Sequence, residues 1–596
     1  MRRAPDRLAV APDPAPTLAE ADPAGPSAAI ERAAWSLVWL AVLTGGINLW
    51  GWWPSWSPAA VLGPALVLGG IIGLAATWLV PRPRSLVYQL VAMSSILASM
   101  AIPQAIGIHI RQYYSTDSGA FNQVAARVLV GGHNPYSASM ASAAQLLKTP
   151  QLFWTYTVDG THITHVSYPA GSFLAEVPGL WFGFHHLVSD WMDLYAWIAT
   201  GILLFVILPA SLRWLAALIA VTPIFVGVFS SGGTDALFVP FLVLAVWRWD
   251  RFTTGQPAGS ARWPGWAGMA RWPGWARMAR WLGPIALGIA CSIKQTPWFC
   301  VPFLVLGVGL EARRTGRPPL RIASAYLGIV VIVFAVVNLP FFIWQPSAWV
   351  NGNLIPFRKP LVADGQGLVT LALHGIAGGV SLSTLTIASA LVYAALLLAM
   401  VIWFPAMRRI WLFVVPIVFF VAARSLTSYL VDFFPAAVVA AVTVSAVGAK
   451  PRIITTARVR VALVATTATA AVAAVVVASL AFVSPPLQLA VRGVRTSNMA
   501  VTLNAVTVTV DNRTDQTVIP HFMVVIGSGH PSGYWTRPGG GPVVLAPHGS
   551  ATVRLYPPEY TNAPNHGDHW VVAAYTSSPQ ALSTSPLQFW KLGKEK

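Results

Sequence analysis

Residues 85–136 read SLVYQLVAMSSILASMAIPQAIGIHIRQYYSTDSGAFNQVAARVLVGGHNPY, and the change of character inside this stretch decides the fold. From Ser85 to Ile110 there is no Asp, Glu, Lys or Arg, over a length beyond the ~20 residues that a straight helix needs to span a bilayer. Immediately after it come Arg111 and Asp117. The segment Gly119 to Val130 then has helical spacing, with Phe121, Val124, Val128 and Leu129 on one side, as expected of a helix lying along an interface. An apolar span thus hands over directly to a carboxylate at the membrane boundary.

Working outward, twelve further stretches share the character of Ser85–Ile110. They are Ala34–Trp53, Ala59–Val80, Met192–Ala210, Trp214–Ser230, Ala236–Trp249, Leu282–Ile293, Pro297–Leu310, Ile322–Phe342, Leu382–Trp403, Ile410–Ala423, Tyr429–Val447 and Val461–Val483. The chain of 596 residues is 55% hydrophobic and only 10% charged, too few charges to cover a soluble surface of this size. The expected fold class is an α-helical polytopic membrane protein of about 13 transmembrane helices.

Most of the 38 Lys and Arg residues fall in the loops that share a side with the N-terminus, among them Arg82, Arg84, Arg251, Arg313 and Arg408. The opposite loops hold only Arg111, Arg127, Lys148, Arg358 and Lys359, with Lys294 and Arg424 at helix ends on that side. By the positive-inside rule the N-terminus is cytosolic, and an odd number of spans puts the C-terminus outside a plasma membrane. The net charge of +18 is therefore a topology signal and not a nucleic-acid footprint.

Four regions follow. Residues 1–33 read as a disordered cytosolic tail, rich in Ala, Pro and Asp up to about Ser27. Residues 34–484 form the membrane domain, with a large outer loop 111–191 and a basic cytosolic loop 250–281. That basic loop repeats ARWPGWAGM as ARWPGWARM, either an interfacial anchor or a recent duplication. In residues 485–596 the pattern changes to period two. Ala500–Val510, Val518–Ile526, Ala551–Tyr556 and His569–Tyr575 read as strands, which predicts an extracytoplasmic β-sandwich that folds on its own. Tyr534, Trp535 and Trp570 are either a glycan-binding platform or core.

Eight carboxylates lie on the outer side: Asp117, Asp159, Glu176, Asp190, Asp193, Asp235, Asp364 and Asp432. Charges near a bilayer must be paired or wetted, so with Lys294 and Arg424 they imply a polar cavity. Plain ion pairing, Asp235 with Lys294 or Arg424 with Asp432, is the alternative. Asp117 can be an N-cap for the helix that follows it, or a carboxylate facing both water and lipid headgroups. Ala170–Leu187, which carries Glu176, and the segment after Gly365-Gln366-Gly367 read as partial insertions beside that cavity.

Asp117 in its loop, the following small-residue helix, Gly131-Gly132-His133-Asn134-Pro135-Tyr136, then Tyr168-Pro169, resemble the GT-C glycosyltransferases over roughly Ser85 to Val447. The likeness is nearest to the mannosyltransferases of glycosyltransferase family eighty-seven and their bacterial relatives. Gly232-Gly233-Thr234-Asp235-Ala236-Leu237 and Lys294-Gln295-Thr296-Pro297-Trp298 match recurring patterns there too. The resemblance implies transfer of a sugar, mannose or else arabinose or another pentose, from a polyprenyl-phosphate donor to an extracytoplasmic glycan or lipid acceptor. It implies Asp117 as general base and Lys294 and Arg424 on the departing phosphate. Asp235, Glu176, Tyr136 and Tyr168 are further candidates for substrate binding. The loop has a single Asp in TDS and no paired acidic motif, so no metal ligand or other cofactor is assigned and metal dependence stays open. A transporter or flippase for a lipid-linked or sugar substrate, or a non-catalytic scaffold for the outer strands, would also fit a polytopic chain with these charges.

Overall fold

The computed structural model describes residues 28–52, 58–80, 83–229, 232–253, 273–444, 457–496, 502–527, 531–558 and 568–590. The chain is mostly helical with a C-terminal strand region. The tail to Ser27 and residues 261–272 of the repeat lie outside the described residues, and the end of the repeat from Pro273 opens the helix Pro273–Ile293. The first helix, Ala28–Trp52, starts inside the segment expected to be tail. Its Glu31 is buried and accepts from Arg84 Nε at 2.7 Å, which gives residues 28–33 a fixed place against the third helix.

Among the described residues seven helices are long and apolar enough to cross a membrane, as a multi-pass membrane protein requires. They are Ala28–Leu49, Val61–Leu79, Leu86–Ile110, Val188–Ile207, Pro319–Trp344, Leu382–Ile402 and Val461–Leu480. The other expected spans are shorter or divided, except Leu282–Ile293, which ends the 21-residue helix Pro273–Ile293. Proline explains much of this, since it lacks the N–H that would continue the helix. Trp214–Ser230 is split into Arg213–Val221 and Pro223–Phe229. Ile410–Ala423 is broken before Pro416, and Tyr429–Val447 is divided into Thr427–Val431 and Phe434–Thr443 with Pro435 in the first turn of the second piece. Ala170–Leu187 is not one helix but two short ones, Gly171–Leu174 and Val177–Trp181.

Among the described residues ten strands occur: β1 (Asp364–Gly365), β2 (Gly379–Ser381), β3 (Arg424–Ser425), β4 (Leu487–Thr496), β5 (Leu503–Asn512), β6 (His521–Ile526), β7 (Ser550–Leu555), β8 (His569–Ser577), β9 (Gln580–Thr584) and β10 (Gln588–Phe589). The order β4-β5-β7 makes one sheet. In the second, β8 pairs with β6, β9 and β10, and β9 pairs with β2. Alternation sends Phe522, Val524, Trp570 and Val572 into one apolar cluster with Leu489, Val506, Val508 and Val510 of the other sheet.

The opposite face of β6, β8 and β9 is where expectation and structure part. The strand β2 belongs to the membrane region, and Gly379, Val380 and Ser381 pair with Ser583, Leu582 and Ala581 of β9. Met523, Val525, Val571, Ala573, Tyr575 and Leu582 pack against Val362, Ala363, Val369, Leu373 and Leu385. Tyr534 Oη donates to Thr157 O at 2.7 Å and Tyr575 Oη to Ala363 O at 3.0 Å. Residues 485–596 therefore share a sheet and a core with the chain before them. Trp535 and Trp570 are buried in the strand region, which removes them as a glycan platform.

A fragment of residues 485–596 should consequently fail as a soluble monomer. Separation bares six side chains that are buried in the whole chain, and burial of a large apolar side chain is worth roughly 1.5–3 kcal/mol. Size-exclusion chromatography of the fragment is expected to show aggregate, and a monodisperse folded monomer would contradict the shared core.

Candidate functional site

The helix Asp117–Val130 is separated by six residues from the end of the third helix at Ile110, and its N-cap is Thr116, not Asp117. Thr116 Oγ1 accepts from Gly119 N at 3.3 Å, the usual use of a hydroxyl at this position. Thr116 Oγ1 also donates to Gly232 O at 3.0 Å, so the TDSG and GGTD segments lie against each other. Gly119 is needed for that approach, because a Cβ there would sit 2.6 Å from Gly232 O. With capping assigned to Thr116, the Asp117 carboxylate is free for another task.

That carboxylate is buried and faces residue 155. Thr155 N donates to Asp117 Oδ2 at 2.6 Å and Thr155 Oγ1 donates to Oδ1 at 3.2 Å. Arg424 Nη2 donates to the same Oγ1 at 3.4 Å. Burial raises the Asp117 pKa above the ordinary carboxylate value, and the Thr155 bonds and the Arg424 charge offset only part of this. Ionised Asp117 therefore costs stability as pH rises through its shifted pKa, which suits a group held ready to accept a proton. Arg424 is positioned by the parallel pairing of β3 with β1, Asp364 opposite Arg424. Its Nη2 lies 3.9 Å from Asp364 Oδ2, so its ion-pair partner is Asp364 and not Asp432. Its Nη1 has no hydrogen-bond partner.

Lys294 follows the helix Pro273–Ile293 and Asp235 opens the helix Asp235–Val246. The two form a buried ion pair, as one of the expected pairings had it. The ammonium also donates to Gly233 O at 3.4 Å, and the rings of Tyr168 and Tyr429 flank it with centroids 5.3 Å and 5.4 Å from Nζ. Burial pushes the Tyr168 hydroxyl up to about 12.

One cavity of about 1660 Å³ joins these groups: Asp117, Thr155, Tyr168, Asp235, Lys294, Arg358, Lys359, Asp364, Arg424 and Tyr429 all line it. Ile224, Leu382, Ile387, Val418 and Phe419 give it an apolar side. Val524, Ser532, Asp568 and Gln580 close it from the strand region.

Two expected site residues are elsewhere. Glu176 is fully buried behind the helix Asp117–Val130, where Ser189 Oγ lies within hydrogen-bond distance of both its carboxyl and Gly119 O. Tyr136 is also buried, and its Oη donates to Tyr168 O at 2.7 Å, so it fixes Tyr168 from behind. Thr155, Asp364 and Tyr429 were not singled out for roles in the site, although Asp364 belonged to the outer carboxylates. Among the described residues no group of three or more His, Cys, Asp or Glu is disposed to hold a metal ion. No family model, curated protein or solved structure matches the chain.

The Lys294–Asp235 pair makes a stability prediction. Removing one partner leaves the other charged and buried, at a cost of roughly 3–5 kcal/mol. Lys294→Gln and Asp235→Asn are each expected to lower the Tm of the detergent-solubilised protein clearly, and the double variant is expected to recover most of the loss. Equal Tm values for all four proteins would mean the pair is solvated and not buried.

Proposed function

We propose that this chain is an integral-membrane glycosyltransferase of the GT-C type. It moves a sugar from a polyprenyl-phosphate donor to an extracytoplasmic glycan or lipid acceptor. The proposal takes the chain to cross the plasma membrane thirteen times, with the N-terminus cytosolic and the strand region outside as a two-sheet sandwich. The observation that carries it is the single cavity in which a buried carboxylate, Asp117, shares walls with Arg424 and Lys294 and with an apolar side.

The volume is the first support. Ordinary small-ligand sites measure about 300–1,000 Å³, and this cavity exceeds that range, as a site for two substrates must. Its apolar side, near Ile224 and Ile387, suits an isoprenoid chain entering from lipid; both residues are largely exposed on the protein surface. The cations suit the phosphate, and Arg424 Nη1, buried without a hydrogen-bond partner, becomes a donor for it once the guanidinium turns toward the cavity.

Chemistry follows from the same groups. The acceptor hydroxyl oxygen attacks the anomeric carbon, and the bond from that carbon to the phosphate oxygen breaks. The phosphate leaves with the electron pair, and the hydroxyl proton passes to Asp117. A positioned base contributes about 10²–10⁴-fold to such a step. Arg424 and Lys294 stabilise the charge that develops on the phosphate, a preorganised electrostatic contribution. Tyr168 and Tyr429 keep the Lys294 ammonium in place, and Asp235 holds it against the protein until an anion arrives.

The test is Asp117→Asn in membranes supplied with polyprenyl-phosphate sugar. Asn keeps an acceptor oxygen for Thr155 N and takes no proton from a hydroxyl. Transfer is expected to fall by at least 10²-fold. The Tm is expected to hold or rise, because a buried carboxylate with a raised pKa is removed. Near-normal transfer would dismiss Asp117 as the base. Unchanged movement of a lipid-linked sugar across the bilayer, with no transfer by the wild type, would favour a flippase.

A further inference from the structure

We propose that Thr155 couples the occupancy of Arg424 to the proton affinity of Asp117, so that the base strengthens when the donor phosphate is bound. This rests on the reading of the cavity as a site for a lipid phosphate.

The geometry is a three-member chain. A hydroxyl has one proton to give and two lone pairs to receive with. Thr155 Oγ1 gives its proton to Asp117 Oδ1 at 3.2 Å and receives from Arg424 Nη2 at 3.4 Å. The backbone of Thr155 is fixed from both sides. Ile163 N donates to its carbonyl at 2.9 Å, and its own N–H is committed to Asp117. Next to it, Val362 N donates to Tyr156 O at 3.0 Å, which ties this loop to the segment carrying Asp364. Thr155 therefore cannot drift with the substrate, and only its hydroxyl proton and the guanidinium can adjust.

Arg424 has room for that adjustment. Its contact with Asp364 is long, 3.9 Å, and Nη1 has no partner. A phosphate entering the cavity offsets the guanidinium charge and draws Nη2 toward itself. Both changes act in one direction on Asp117. The nearby positive charge that favoured the carboxylate is neutralised, and the Thr155 hydroxyl, no longer polarised by Arg424, donates less strongly. Asp117 then binds a proton more tightly. After transfer the phosphate departs, Arg424 regains its influence, and Asp117 loses the proton it took. The other ionisable groups facing Asp117 are His162 and Tyr168, with Asp364 beyond Arg424. None of these bridges Asp117 to Arg424 by a hydrogen bond among the described residues.

The expected size follows from charge alone. An opposite charge within about 4–6 Å shifts a carboxyl by about 1–3 pH units, so its neutralisation should move Asp117 upward by about one unit or more. Thr155 is thus a positioning residue, and its effect is separable from folding because Thr155→Ser keeps the hydroxyl while Thr155→Val removes it.

The experiment is an infrared pH titration of the full chain in neutral-lipid nanodiscs, with and without a short-chain isoprenyl monophosphate. The Asp117 signal is identified by its loss in Asp117→Asn. The titration midpoint is expected to rise by about one pH unit with the probe in wild type and in Thr155→Ser. In Thr155→Val, with probe binding retained, the rise should be clearly smaller, because the hydroxyl relay is gone and only the through-space charge of Arg424 remains. An equal rise in Thr155→Val, or none in wild type despite bound probe, overturns the coupling. Failure of the wild type to bind the probe at all overturns the coupling together with the reading of the cavity, and so separates the two.

Discussion

A charge inside an apolar protein must be neutralised by its neighbours, and here those neighbours come from parts of the chain far apart in sequence. Lys294 is answered by Asp235, Arg111 by Asp190, and Arg424 by Asp364. At the far end of the helix that opens with Asp235, Arg408 lies between Asp250 at 3.1 Å and Glu311 at 3.3 Å. Each pair fixes the relative height of two or more segments, because a slip would leave a charge buried alone at a cost of several kcal/mol. Helices short enough to slide past one another are thereby pinned at both ends. The cavity lies at the Asp235 end, where Lys294, Asp364 and Arg424 also line it.

The glycines and tyrosines refine what the ion pairs set. Gly119 lets the Asp117 loop touch the Gly232 loop, and Gly232 itself has φ +67 with no space for a side chain beside Asp190. Tyr136 supports Tyr168 from behind, and Tyr168 with Tyr429 encloses the Lys294 ammonium. The strand region is part of the same construction. Through β2 and the contacts of Tyr534 and Tyr575 it is fastened to the loops that carry Asp364 and Thr157, and it supplies one wall of the cavity.

Much of the site was legible in the sequence, for an identifiable reason. Charged groups at the ends of apolar runs are expensive, so Asp117, Asp235, Lys294 and Arg424 stood out, and all four line the cavity with Tyr168. Glu176 stood out by the same logic and yet lies behind the helix, because sequence spacing does not say which face of a short, broken segment points inward. Thr155 gave no signal: a neutral hydroxyl in an irregular loop has no periodicity and no charge. In the fold, Pro223, Pro416 and Pro435 divide stretches that composition alone reads as continuous. Of the strands, β5 follows its alternation, while β6, β7 and β8 are marked by the Gly, Pro and Asn that separate them. The strand β4 escaped because a register shift between Val491 and Gly493 interrupts its period of two. The pairing of β2 with β9, across some 200 residues, has no local signature at all.

The central claim is that the cavity holds a polyprenyl phosphate against Arg424, within reach of Asp117. Mass spectrometry of lipid co-purified with the full-length protein tests it most directly. The account predicts an isoprenoid phosphate, free or sugar-charged, retained in Asp117→Asn and largely lost in Arg424→Gln. The absence of any isoprenoid phosphate from the wild type, or its undiminished retention in Arg424→Gln, would contradict the account.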